Sequence, residues 1–262
     1  MIGDWFLAGL RRDRAVVLGS LAFVIILAWA YLLAGAGVEM ATMDVGGGRT
    51  MAMPPEWTLA YGLVVFLMWA VMMVAMMLPS AAPVTLLVAS IASKRRAAGT
   101  LRGVSTAPFV LGYLAVWLVF AALATLLQWR LDAAELLSET MALASMRVAG
   151  GVLVLAGIYQ WTPLKRACLR HCRSPLQFLV HHWRDGALGA FASGARHGVF
   201  CLGCCWMLMV LLFVGGIMNL AWIAGIAFLV LIEKTLPWGG WMGRVTGAVL
   251  VVWGAVTLAM AA

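Results

Sequence analysis

Five cysteines and a run of methionines are the side chains of this sequence best equipped for chemistry. Cys201, Cys204 and Cys205 stand in the run FCLGCCWMLM. On a helix, positions three and four apart are neighbours, so these three thiols share one face. His197 and Met209 extend that stripe by a turn in each direction. Cys168 and Cys172 form a second pair at i, i+4 spacing, with His171 between them. Trp69, Met72, Met73, Met76 and Met77 recur at helical spacing and occupy one face of a third segment. A last group, Met40, Met43, Met51 and Met53, lies just before that segment. Thiolate and thioether sulfurs are the soft donors that suit Cu(I), with zinc the second candidate.

Blander readings stand beside this one. Cysteine packs as a small apolar residue and methionine fills cores, so either set could serve packing alone. Thiol redox chemistry is a further alternative, because a reducing cytoplasm disfavours structural disulfides. Pro79 and Pro83 follow the methionine stripe and lack backbone donors, which frees the carbonyls of Ala75 and Pro79. His181 and His182, in FLVHHWRDG, read as the polar face of an interfacial helix. Glu233 and Lys234 end an apolar run, where the carboxylate needs a cationic partner, either Lys234 or a neighbouring helix.

The composition says what must position these groups. Of 262 residues, 65% are hydrophobic and 11% charged, against about 25% charged in ordinary globular domains. A water-soluble fold of this kind would expose too much apolar surface. The expectation is all-α: a polytopic transmembrane helical bundle with the lipid bilayer as its surroundings. Seven apolar runs can be drawn, at 15–36, 57–78, 106–128, 147–163, 198–219, 221–236 and 245–262. The run at 221–236 is the weakest, so six to seven spans are expected within one membrane domain over 1–262.

With the N-terminus in the cytoplasm, 15 of the 18 Lys and Arg residues fall inside; Arg49, Arg130 and Arg147 fall outside. That split follows the positive-inside rule. The formal net charge of +8 therefore reports orientation, with no nucleic-acid partner. The first run exceeds the roughly 7–15 apolar residues of a signal peptide and reads as an uncleaved anchor. A Gly- and Met-rich outer loop, 37–56, is expected to be irregular. The second outer loop, 129–146, could form a surface helix, and a Cys/His-containing cytoplasmic loop occupies 164–197. No P-loop, dinucleotide fingerprint, HExxH or haem-attachment motif is present, and nothing supports ATP-driven pumping.

The stretches MMVAMMLPSAAP (72–83), YQWTPLKRACLRHCRSP (159–175) and CLGCCWMLMVLLFVGGIMNLAW (201–222), with IEK at 232–234, resemble a bacterial family of integral membrane proteins. That family is described only as metal-binding and is loosely linked with copper handling. The resemblance spans roughly residues 60–260. It implies metal binding by Cys168, Cys172, Cys201, Cys204 and Cys205, with Met72, Met73, Met76 and Met77 as partners. His171 and His197 are further candidates, and Met40, Met43, Met51 and Met53 are candidates for capture at the outer mouth on the residue reading alone. The expected function is Cu(I) transport, or delivery to a copper-enzyme client or soluble metallochaperone. Two rivals are a membrane thiol oxidoreductase and a structural subunit of a membrane assembly, so enzyme activity stays open.

Overall fold

A computed structural model describes residues 2–37, 41–44, 50–53, 57–97, 106–138 and 141–261. The fold is all-α apart from one short hairpin. Helix α1 (Ile2–Leu33) precedes β1 (Ala41–Asp44) and β2 (Thr50–Met53); α2 (Leu59–Ala97) and α3 (Thr106–Ala133) follow. Then come α4 (Met146–Gln160), α5 (Pro163–Arg173), α6 (Pro175–His182), α7 (Ala187–Val210), α8 (Leu212–Gly215), α9 (Leu220–Thr235) and α10 (Gly239–Met260). Within α1, α2, α3, α7–α8 and α10, five helical stretches are long and apolar enough to cross a membrane. The runs expected at 147–163 and 221–236 become helices of 15 and 16 residues. Both fall short of the roughly 20 residues that span a bilayer unaided.

Several local expectations are corrected. The 37–56 segment is not wholly irregular: β1 and β2 pair antiparallel, with Met43 opposite Met51 and Ala41 opposite Met53. The 129–146 segment is not a surface helix among its described residues. There α3 ends, Glu135 and Met141 adopt positive φ, and Leu137 bridges Leu143, a backbone path that a helix cannot follow. The 164–197 segment is no loop but α5, α6 and the first turns of α7. Thr162 caps α5 by accepting from the Lys165 N–H, and Pro163 sits in its first turn, where a missing donor costs nothing.

Helix α2 passes straight through Pro79 and Pro83 and continues to Ala97, well beyond the run expected to end at 78. The residues after Pro83 turn inward again, with Val84, Thr85, Val88, Ala89 and Ala92 buried. Burial of that second face outweighs the local cost of the prolines. Near them, the Ser80 hydroxyl donates to the Met77 carbonyl (2.8 Å) and the Tyr113 hydroxyl donates to the same oxygen (3.2 Å). Helix α2 packs on α1, α3 and α9, while α7 packs on α3 and α5, and α4 on α10. The core therefore gathers where α2, α3, α5, α7 and α9 meet.

Candidate metal centre

Helix α7 supplies three thiols. Cys201, Cys204 and Cys205 are all buried, as their shared face requires. The Cys204 and Cys205 thiols donate back to the Cys201 carbonyl at 3.0 and 2.9 Å. Small residues decide how deep this helix sits. A Cβ added at Gly194 would lie 1.9 Å from the Phe109 carbonyl oxygen, and one at Gly112 would lie 2.0 Å from that of Phe191. Helices α3 and α7 thus touch backbone to backbone, the close approach that small residues allow. That contact carries Tyr113 to α7, where its hydroxyl lies 3.1 Å from Cys201 Sγ.

Helix α5 brings the second pair. Cys172 Sγ lies 3.9 Å from Cys204 Sγ, and the Cys172 thiol also contacts Cys201. Those hydrogen bonds to Cys201 and Cys204, followed by burial, hold the Cys172 thiol well above its ordinary pKa. Cys168 occupies the notch left by Gly203, whose missing Cβ would sit 2.7 Å from Cys168 Sγ. The Tyr159 hydroxyl donates to the Gly203 carbonyl on the same side. Burial, and then the neighbouring Cys204, raise the Cys168 pKa too.

Helices α2 and α9 close the cluster. Met77 Sδ lies 3.8 Å from Cys205 Sγ. Lys234 extends its buried ammonium among the sulfurs, with Nζ 2.9 Å from Cys201 Sγ, 3.8 Å from Cys205 Sγ and 3.9 Å from Met77 Sδ. It also lies 3.2 Å from Ser80 Oγ. Lys234 therefore does not neutralise Glu233. The Glu233 carboxylate pairs with Lys165, whose Nζ lies 2.9 and 2.7 Å from its two oxygens. Gln160 accepts from the same ammonium. Successive helical residues point about 100° apart, so α9 sends Glu233 toward α5 and Lys234 toward α2 and α7.

The other candidates distribute unevenly. Met72, Met73 and Met76 are buried in the hydrophobic core on the same helix as Met77, but among the described contacts only Met77 reaches a cysteine. His171 lies off the cluster: its ring stacks on Phe200 at 4.1 Å, and Nδ1 lies 2.9 Å from the Ala167 carbonyl oxygen. His197 is buried one turn before Cys201, its ring 5.0 to 6.1 Å from those of Phe178, Tyr113 and Phe109. Its Nδ1 has no hydrogen-bond partner among the described residues. Met43, Met51 and Met53 lie on the hairpin strands, their side chains outside the description, and Met40 lies outside the described residues altogether. His181 is exposed on α6, with Nδ1 2.9 Å from the Gln177 carbonyl oxygen.

Tyr113, Ser80 and Lys234 are the site residues that spacing alone misses. The IEK run flags Lys234, but only the packing of α9 shows which neighbour it meets. Among the described residues, no three His, Cys, Asp or Glu side chains are arranged as a ready-made metal site. The donors that do converge are sulfurs contributed by α2, α5 and α7, a set suited to a soft ion of low coordination number.

Fold and cluster together define an all-α protein of long apolar helices that buries soft sulfur donors at their junction. The chain belongs to the PpoB2 copper chaperone family, whose model matches residues 66–257. No curated protein and no solved structure matches it.

Proposed function

We propose that this protein is a multi-pass inner-membrane Cu(I)-binding protein that carries copper to, or across, the cytoplasmic face. The observation that carries the reading is the meeting of Cys172, Cys201, Cys204, Cys205 and Met77 from three separate helices. Cu(I) is the cargo, and thiolate pairs assisted by a thioether suit it at two or three coordination. The seven-run topology with an inside N-terminus puts α5, α6 and the cluster toward the cytoplasm, because Arg166, Arg170, Arg173 and Arg184 flank them. In this arrangement α4 and α9 span as short helices, the bilayer thinning locally to match them. A copper-enzyme client or soluble metallochaperone would receive or supply the ion at that face. The outer methionines Met40, Met43, Met51 and Met53 are proposed to capture copper on the opposite side.

Elemental analysis of protein purified anaerobically in detergent tests this. About one copper per chain is expected after Cu(I) loading, falling to background in a Cys201→Ser, Cys205→Ser double variant. Equal copper in variant and parent refutes the reading. A second reading rests on the 3.9 Å separation of Cys172 and Cys204: a thiol pair that closes to a disulfide by passing two electrons and two protons to a quinone or thioredoxin-like partner, and opens by the reverse. A reversible disulfide accumulating in cells, with no copper in the purified protein, is the outcome that favours it.

A further inference from the structure

Lys234 is buried and its ammonium faces sulfur, not carboxylate. The ion pairs among the described residues are Arg95–Asp185 and Lys165–Glu233, so no described carboxylate lies within pairing distance of Lys234. A lysine so placed is a fixed positive charge tethered inside the ligand set. We propose that Lys234 determines which ions the cluster accepts, making it selective for a monovalent soft cation over a divalent one. The proposal rests on the Cu(I) reading above and names the property that selects the cargo.

The argument is a charge count in a buried site. Two thiolates holding a monovalent ion carry one net negative charge, which the Lys234 ammonium cancels. Two thiolates holding a divalent ion are already neutral, and the same ammonium then leaves one net positive charge. An uncompensated charge away from water is costly, and its effect on a second charge a few ångströms away is large. Two cysteines of α7 lie within 3.8 Å of the Lys234 ammonium, with the neutral Met77 and Ser80 of α2 beside them, and the count is made over that pair. Cys204 and Tyr113 are charge neighbours at longer range. Glu233 adds little, because Lys165 already balances it. Hard–soft preference is a separate matter, since cadmium is as thiophilic as the site demands and differs from Cu(I) and Ag(I) in charge.

The test compares Ag(I) or Cu(I) with Cd(II) on the full chain, purified anaerobically in detergent. Bound metal is measured by elemental analysis after competition between the two ions. The parent should retain the monovalent ion and exclude Cd(II). In Lys234→Met and Lys234→Gln the ratio of Cd(II) to monovalent ion should rise by at least about tenfold, and Lys234→Arg should return it to the parental value. A ratio unchanged within about twofold in a folded neutral variant that still binds both ions overturns the proposal. Should both neutral variants fail to accumulate, the parent decides alone: equal loading with Cd(II) and Ag(I) overturns it. A parent that binds neither ion refutes the copper reading itself, whereas a parent that binds both equally refutes only the role of Lys234.

Discussion

Cys172 Sγ of α5 lies 3.9 Å from Cys204 Sγ of α7, across 32 residues of chain that include the whole of α6. This contact joins the two cysteine groups into one cluster, and Met77 joins it from α2 at Cys205.

The unequal reach of the methionines predicts unequal effects of their loss. Met77→Leu keeps the volume, removes the sulfur beside Cys205, and should weaken Cu(I) retention roughly tenfold. Met72→Leu and Met76→Leu should leave tight binding unchanged within about twofold. Competition against a chromophoric Cu(I) chelator measures all three. Equal effects at 72, 76 and 77 would mean that the stripe acts as packing.

Gly203 holds a place for Cys168. Gly203→Ala would put a methyl 2.7 Å from Cys168 Sγ, so the Cys168 thiol must rotate out of its notch or α5 must shift away from α7. Copper binding should fall while the far end of α7 stays seated on α3, and the yield of a Cys172–Cys204 cross-link reads any displacement of α5. Gly194→Ala is the control for packing: its methyl would meet the Phe109 backbone, and a loss of roughly 1–3 kcal/mol in detergent stability is expected.

The buried Lys165–Glu233 pair predicts a strong asymmetry between single and double substitution. Glu233→Gln or Lys165→Met alone leaves one charge buried without its partner and should cost about 3–5 kcal/mol. The double variant should recover much of that loss, measured as thermal unfolding in detergent. Additive losses would show that the two groups do not depend on each other.

Raised thiol pKa values on α5 predict slow alkylation near neutral pH. Burial at Cys168, and hydrogen bonding to Cys201 and Cys204 at Cys172, both favour the protonated thiol. Maleimide labelling of the metal-free protein should therefore rise with pH later than for a free cysteine, with half-buried Cys168 reacting first. The sign for stability follows. The folded chain keeps protons that the unfolded chain loses, so this contribution is present below the ordinary thiol range. It is lost as pH rises toward the folded values. A labelling profile at position 168 matching that of a free cysteine would contradict both statements.

Topology is tested by single reporter cysteines at Gly47 and Arg184 in a background without other reactive thiols. An impermeant reagent added outside whole cells should reach position 47 and not 184. Labelling of 184 from outside would reverse the map and put the sulfur cluster toward the periplasm.

The sequence by itself determined the helical class of the fold and where its seven apolar runs lie, because period and hydropathy are local properties; only the structure showed that five of the helices are long enough to cross a membrane. It also determined that Cys201, Cys204 and Cys205 share a face, since helix geometry fixes i, i+3 and i+4. Local signals failed where distant segments supply the energy. Helix α2 runs through two prolines because the residues beyond them find buried partners. The segment 164–197 coils into helices because α5 has α7 to pack against. Four methionines at the same helical spacing looked equivalent until packing brought only Met77 to a cysteine. For Glu233 the sequence left two partners open, Lys234 beside it in the chain or a cation on a neighbouring helix. Adjacent helical residues diverge by about 100°, and so tertiary packing gave Glu233 to Lys165 and Lys234 to the sulfurs.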